Sequence, residues 1–272
     1  MEEYQLRFVH NVNQVVGTNW LSRRPRLHVL DMGCDTSGRQ LAEIAKLTRG
    51  EVVGINVPEN FPSSAAIEVA GPRVQMFRMD GMNLSFPDRS FDLVISANVI
   101  EHVPDPGKFI HEAARVLKDD GVAYLETAPI WTNARGHHIM ESMIAENCPE
   151  ETNFRDDGSI IPEWSHLALS REEMAQLLCG KVLSKTRDYI IWFLYDSKQL
   201  NKSPWKTVNQ HLHAAFPYVK VIPRPLPGVN NDLMPTDGAD NYSVYGFVAV
   251  GRKRPQNWLS KRLNWRLRRL GL

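Results

Sequence analysis

The chain has 272 residues, 43% of them apolar and 23% charged, an ordinary globular usage that excludes disorder or a collagen-like repeat for its bulk. Three scattered cysteines (Cys34, Cys148, Cys179) with no Cys-x-x-Cys pair exclude a disulfide scaffold and a cysteine zinc site, and they fit a reducing, cytoplasmic setting. Net charge is +1, but residues 252–272 hold eight basic groups and no acid, which leaves 24 basic against 31 acidic residues in the remainder, an acidic body that suits a nucleic-acid backbone poorly.

The first ten residues, MEEYQLRFVH, carry acids where a signal peptide carries bases, and no run of 18 apolar residues occurs anywhere. Neither export nor membrane spanning is expected. Residues 4–16 place Leu6, Val9, Val12 and Val16 at helical spacing. Residues 27–32 read as a strand, and 38–47 as a helix with Leu41, Ile44 and Ala45 inward, closed by Gly50. Strands are expected at 51–57, 74–79 and 91–96. A helix from Asp105 or Gly107 to Lys118 follows, then a turn at Asp119-Asp120-Gly121 and a fifth strand at 122–126. Strands separated by helical patterns of 10–15 residues imply βαβ units and a parallel sheet. Residues 128–169 break this rhythm. A helix resumes at 170–178, with Ser170 as N-cap and Glu173 as its capping-box partner. Residues 188–195 (DYIIWFLY) read as a buried strand, 196–240 as mixed, and 242–251 as a final strand.

The sharpest chemical signal is VLDMGCDTSG at residues 29–38. A strand ends in an acid, and a Gly-containing turn then opens a helix whose free N–H groups face a ligand beyond the strands' carboxyl ends. The turn is not the dinucleotide fingerprint, because Asp35 stands where the second Gly is required. A nicotinamide oxidoreductase is thereby disfavoured. Asp31 suits a ligand with a cationic or hydroxyl-bearing part.

Five blocks in order then carry a resemblance: VLDMGCDTSG, EVVGINV, MDGMNLSFPDRSFDLVIS, ANVIEHVPDP and ARVLKDDGVAYLET. Over residues 27–127 and again at the final strand, the chain resembles the class I S-adenosylmethionine-dependent methyltransferases. Within them it resembles the type 11 branch of ubiquinone/menaquinone-type enzymes. The resemblance implies an α/β fold, a Rossmann-like methyltransferase sheet of seven mostly parallel strands with the last antiparallel, in the order 3-2-1-4-5-7-6. Helices would lie on both faces, with insertions after strands 5 and 6. It implies S-adenosyl-L-methionine as cofactor. Asp31 and Gly33 would hold the methionine part, with the backbone near Cys34, Asp35 and Gly38. Asn56 would meet the ribose, and Asp80, with Gly81 and Met82, the adenine. Asn98 would lie near the methyl group. Two departures stand out: Asp35 replaces a Gly that commonly needs positive φ, and Asn56 replaces the ribose acid. Together they leave room for a catalytically inactive binding or docking module.

On the substrate side, PIWTNARGHH at 129–138 places paired histidines after the fifth strand. Transfer to a hydroxyl needs a base, and His137, His138 or His102 suits that task. Each histidine has a plain structural alternative as a hydrogen-bonding partner in a loop. Trp131, Trp164 and His166 offer aromatic and polar faces for a sugar or another ring, with core packing as the plain alternative for both tryptophans. His102, His137, His138 and His166 could converge, yet no ligand spacing of the HxxxH kind occurs, and no metal is expected.

The domain organisation expected is a methyltransferase domain at 1–251, with substrate-side insertions at 128–169 and 196–240, and a basic amphipathic tail at 252–272. In that tail Leu259, Leu263, Leu267 and Leu270 share one side of a helical wheel. Lys261, Arg262, Arg268 and Arg269 lie mostly opposite, with Trp258 and Trp265 among them. It reads equally as a membrane-surface element and as a helix docked on the acidic body. The function expected is methyl transfer to a hydroxyl of a sugar, glycan or other small molecule, in the cytoplasm or at the inner face of the membrane. A nucleic-acid methyltransferase is disfavoured, since the NPPY/DPPY and PCQ signatures are missing.

Overall fold

The computed structural model describes residues 26–225, 228, 232–235, 242 and 244–254. The helix expected at 4–16 and the amphipathic tail at 257–272 lie outside the described residues. The first half alternates β1 (His28–Met32), α1 (Arg39–Thr48), β2 (Glu51–Asn56), α2 (Ser64–Ala70), β3 (Val74–Arg78), β4 (Phe91–Ala97), α3 (Pro106–Val116) and β5 (Leu117–Thr127). The second half supplies α4 (Glu141–Asn147), α5 (Ser165–Ala168), α6 (Arg171–Leu178), α7 (Ser184–Ile191) and a π-helical turn (Trp192–Asp196). It ends with α8 (Trp205–Ala215), β6 (Tyr218–Pro225) and β7 (Val244–Arg252).

The strands make one sheet in the order β3-β2-β1-β4-β5-β7-β6. β1 to β5 pair in parallel, while β7 runs antiparallel to both β5 and β6. This is the expected Rossmann-like order with an antiparallel last strand. Parallel strands must be covered on both faces, which explains their nearly continuous apolar sequences. Val29, Val52, Leu93, Ile95 and Val122 bury against α1 and α2, through Leu41, Ile44 and Ala66. Leu30, Met32, Val94 and Ala123 bury on the other face against α3 and α8, through Phe109, Ile110 and Leu212. Residues 139–200 pack a third core of their own, with Ile144, Phe154, Met174, Leu178, Ile190 and Phe193.

Local signals explain most boundaries. α3 starts with Pro106 in its first turn, and the Asp105 side chain accepts from Lys108 N at 2.9 Å. α6 carries the full Ser170/Glu173 capping box. α1 closes on Arg49, which takes the left-handed conformation (φ 53°), not on Gly50. Gly50 is kept for closeness, since a Cβ there would lie 1.9 Å from Leu27 O. The Asp119-Asp120-Gly121 turn is a bulge inside β5, where the pairing jumps from Phe91↔Leu117 to Leu93↔Val122.

Two expectations are corrected. Residues 188–195 are not a strand: they finish α7 and form the π-helical turn. Thr186, Ile190, Ile191, Phe193 and Leu194 are buried while Asp188 and Trp192 face solvent, a helical periodicity hidden inside an apolar run. The sixth strand is instead Tyr218–Pro225, so the 196–240 stretch expected as an insertion supplies α8 and β6 to the domain itself. β6 carries Pro223 and Pro225, which a sheet tolerates at an edge, and β6 lies at the edge. Two of the tail's basic residues lie on the body: Arg254 pairs with Asp119 at 2.7 Å and Lys253 donates to Leu117 O at 2.7 Å.

Candidate active site

The carboxyl ends of β1, β4 and β5 meet at one edge of the sheet, and the loop after β1 forms the first half of the site. Gly33 takes φ 84°, and a Cβ there would come within 2.3 Å of Val99 Cγ2 in the loop after β4. Gly38 takes φ 77°, and a Cβ there would come within 2.3 Å of Ala66 O. Gly33 N and Cys34 N both donate to Ile55 O, which ties the loop to β2. Cys34 is buried among the core residues under α1, and burial beside Asp31 and Asp35 pushes its thiol far up, so it is an inert filler.

Asp31 is buried, its Oδ2 has no hydrogen-bond partner, and burial with the nearby Asp35 carboxylate pushes it up to about 8. Asp35 Oδ1 is likewise buried without a partner. The expectation that Asp35 fills a positive-φ position is corrected: its backbone is not in that region. Its Oδ2 instead accepts from Ser37 N at 3.1 Å and from the Ser37 hydroxyl, closing the turn. One of the two departures that suggested an inactive module thus carries no backbone strain.

The remaining cofactor-side residues sit around this loop. Asn56 donates through Nδ2 to Cys34 O at 2.7 Å and accepts from Val57 N at 2.8 Å. Its amide therefore braces the loop. Asp80 accepts from Met82 N at 2.8 Å, which makes it a turn-capping residue in this structure. Gly81 leaves room for Phe109, whose ring edge would be 2.5 Å from a Cβ there. Asn98 takes φ 54° and donates its N–H to Glu126 O at 2.9 Å, turning the chain out of β4.

Beside that loop lies a narrow pocket walled by Ile130, Trp131 and Leu200 and bearing Glu101, Thr127 and His138. Asn201 fixes its rim, donating through Nδ2 to Ile100 O at 2.5 Å and to Val103 O at 2.8 Å. His102 Nδ1 contacts Gln199 O at 2.9 Å, and its ring centroid is 5.5 Å from that of His138. Glu101 is buried, accepts from the Thr127 hydroxyl, and is pushed up to about 8 by burial. His138 Nδ1 contacts Gly136 O at 2.8 Å. A carbonyl only accepts, so the Nδ1 hydrogen is fixed and Nε2 keeps the lone pair, which is buried with no partner. Burial pushes His138 down to about 4.

The other expected substrate-side residues divide. His137 is buried, burial holds it well below the usual histidine range, and its Nδ1 accepts from Ile139 N at 3.0 Å. Its ring packs 5.4 Å from His166, whose Nε2 contacts Trp131 O at 2.8 Å. His137 and His166 are thus a second, inner pair behind Trp131, and the four histidines do not converge on one point. Trp164 is corrected from a substrate platform to a core residue: it is buried and packs edge-on against Tyr242 at 6.2 Å. Trp131 does line the pocket, with Lys202 Nζ 5.2 Å over its ring. Asn201 is a residue that sequence reasoning left without a role.

Residues 30–125 match the methyltransferase domain family. Over that stretch the chain is similar to methyltransferase domains, as the resemblance to the class I S-adenosylmethionine-dependent enzymes implies. Among its relatives is 2-methyl-6-phytyl-1,4-hydroquinone methyltransferase of Synechocystis, 34% identical over 170 residues that cover 62% of this chain and 49% of the relative. Another is sterol 24-C-methyltransferase ERG6B of Gibberella zeae, 34% identical over 103 residues, 36% of this chain and 27% of the relative. The matched stretches therefore span half or less of these relatives. Among solved structures, a candidate S-adenosylmethionine-dependent methyltransferase from Listeria monocytogenes superposes with a TM-score of 0.51 at 13% identity, covering 92% of this chain and 99% of the other. At such identity the likeness concerns the fold alone.

The cofactor of this domain is S-adenosylmethionine, and the residues present suit it. Two crowded carboxyl groups, each with a buried unpartnered oxygen, await a ligand with positive charge, and the bare Gly33–Gly38 turn leaves the backbone open beside them. Among the described residues no helix is long and apolar enough to cross a membrane.

Proposed function

We propose that the protein transfers a methyl group from S-adenosylmethionine to a hydroxyl of a sugar, glycan or other small molecule held in the pocket beside β4 and β5. The observation that carries this reading is the adjacency of two unlike sites. One is the acidic turn after β1; the other is a pocket with an aromatic wall and a buried, unpartnered imidazole nitrogen. Asp31 and Asp35 would hold the cationic methionine part, with Asp80 and Asn56 toward adenine and ribose. When bound, the cofactor supplies an electrophilic methyl carbon on a sulfonium that leaves as a neutral thioether. Trp131 and Ile130 would align the acceptor, and Asn201 fixes the rim, so most of the barrier reduction is positioning.

Of the three histidines expected as base, His138 is our choice. Its Nε2 would accept the acceptor's hydroxyl hydrogen. A nitrogen held near 4 is a weak base, but an oxygen that has gained a methyl while keeping its proton is a far stronger acid. The relatives' names, a hydroquinone and a sterol methyltransferase, support a small organic acceptor. The tail's composition would suit a lipid-linked acceptor. Deleting residues 257–272 should then reduce sedimentation with anionic liposomes, and unchanged sedimentation would remove that part of the reading.

The test is calorimetric titration with S-adenosylmethionine and S-adenosylhomocysteine, with NAD as control, followed by radiolabelled methyl transfer to sugar and lipid-linked acceptors. Micromolar binding of the first two ligands alone is expected. No binding by a folded sample would overturn the enzyme reading and leave a docking module.

A further inference from the structure

We propose that Glu101, His102 and His138 bind one divalent first-row transition-metal ion at the acceptor pocket. One ligand-capable atom of each residue lies within 4.8 Å of the other two. An ion with ligands at about 2.0–2.2 Å would draw them together by roughly an ångström. They come from two parts of the chain: the loop after β4 brings Glu101 and His102, and the loop after β5 brings His138.

In both imidazoles Nδ1 is already engaged, which leaves Nε2 for an ion. His138 Nδ1 bonds to Gly136 O at 2.8 Å and His102 Nδ1 to Gln199 O at 2.9 Å. Since a carbonyl cannot donate, both Nδ1 atoms carry the hydrogen and both Nε2 atoms keep the lone pair. Metal-bound histidines almost always donate their other N–H to such a partner. His138 is 8% exposed and lines the pocket, and its Nε2 is buried with nothing to bond to. A lone pair left this way calls for a partner. Glu101, 7% exposed, would lose its proton as the ion enters and then supply the one negative charge that two neutral imidazoles lack. Asn201 accounts for the fixed placement of the loop, through its bonds to Ile100 O and Val103 O. Two imidazoles and one carboxylate with open positions suit Zn²⁺, Fe²⁺ or Co²⁺ better than Mg²⁺ or Ca²⁺.

The open positions would take an acceptor oxygen, and the ion would polarise it. That role rests on the methyl-transfer reading and takes the place of the base there: with the ion bound His138 is a ligand, and the acceptor hydroxyl, made more acidic by the ion, would lose its proton to bulk water; occupancy of the site does not rest on it. The experiment uses the full chain stripped with chelator, titrated with Zn²⁺ by calorimetry and with Co²⁺ by visible absorption. One equivalent of each is expected. His102→Ala, at an exposed position, and Glu101→Gln should each weaken binding at least roughly 10–100-fold, the loss seen even for outer-shell partners. His213→Ala, another exposed histidine, should leave it unchanged. Several weak sites that survive His102→Ala would overturn the proposal, as would no binding at all. S-adenosylhomocysteine titrated on the same samples separates the two readings. Its binding without Zn²⁺ binding sinks the ion alone, and the reverse sinks methyl transfer alone.

Discussion

A carboxyl group buried beside a second one keeps its proton well into the neutral range, and Asp31 is pushed up to about 8 in this way. In the unfolded chain it ionises near 3.9. Between roughly pH 4 and pH 8 the folded form holds a proton that the unfolded form lacks, so stability falls as pH rises across that window. The slope is at most about 1.4 kcal/mol per pH unit. Asp31→Asn removes it, and the variant should exceed the parent by a few kcal/mol in urea unfolding at pH 8, with a smaller gain at pH 6. A cationic ligand favours the carboxylate, so S-adenosylmethionine should release a proton on binding at pH 7. Calorimetry in buffers of different ionisation enthalpy reads that proton, and Asp31→Asn should lose both it and most of the affinity. The two glycines of the turn separate by what they touch. Gly33→Ala meets the Val99 side chain first, so Val99→Ala should recover part of the lost stability, leaving the roughly 1–2 kcal/mol of left-handed strain. Gly38→Ala meets backbone at Ala66, and no side-chain change should recover it. Asp31, Gly33 and Gly38 were legible because they fall within eight consecutive residues. Glu101 and His138 are 37 residues apart in sequence, and only the parallel pairing of β4 with β5 brings their loops together.

At the scale of elements, legibility followed periodicity and punctuation. α6 could be placed from Ser170 and Glu173 alone, and Ser170→Ala should cost about 1 kcal/mol, read as a lower unfolding midpoint at constant m-value. α7 and the turn after it could not, because YIIWFL is apolar at every position and the exposed side of the helix carries Trp192. β6 was hidden for the opposite reason. Lys220, Pro223, Arg224 and Pro225 give it neither alternation nor a clean apolar run, and its place rests on β7 beside it. A different device fixes α3. Arg115 donates to Leu84 O and Phe86 O while pairing with Glu112 and Asp88, which joins the helix to the loop before β4. Arg115 holds Glu112 below the usual carboxylate range, so this tie is kept above the ordinary glutamate pKa and weakens as pH falls through the lowered one. Glu112→Gln should therefore flatten the acid limb of the stability profile.

Across the whole molecule, the family match and the acceptor pocket come from different parts of the chain. Residues 30–125 hold the end of β1, β2 to β4, α1 to α3 and nearly all of β5, and with them the cofactor turn. The pocket takes only Ile100 and Glu101 from that stretch; Thr127, Ile130, Trp131, Gly136, His138 and the rim at Leu200–Ser203 lie beyond it. Cofactor binding and acceptor chemistry should then be separable by mutation. S-adenosylhomocysteine at about 100 times its dissociation constant adds about 2.7 kcal/mol to a protein that binds it only when folded. For a domain of this size, that is a rise in Tm of roughly 5–10 °C. His138→Ala should keep the full rise and lose methyl transfer, while Asp31→Asn should lose most of the rise. If His138→Ala instead abolished the rise, the pocket and the cofactor turn would be one cooperative unit. The division between a cofactor half inside the matched stretch and an acceptor half mostly outside it would then fail.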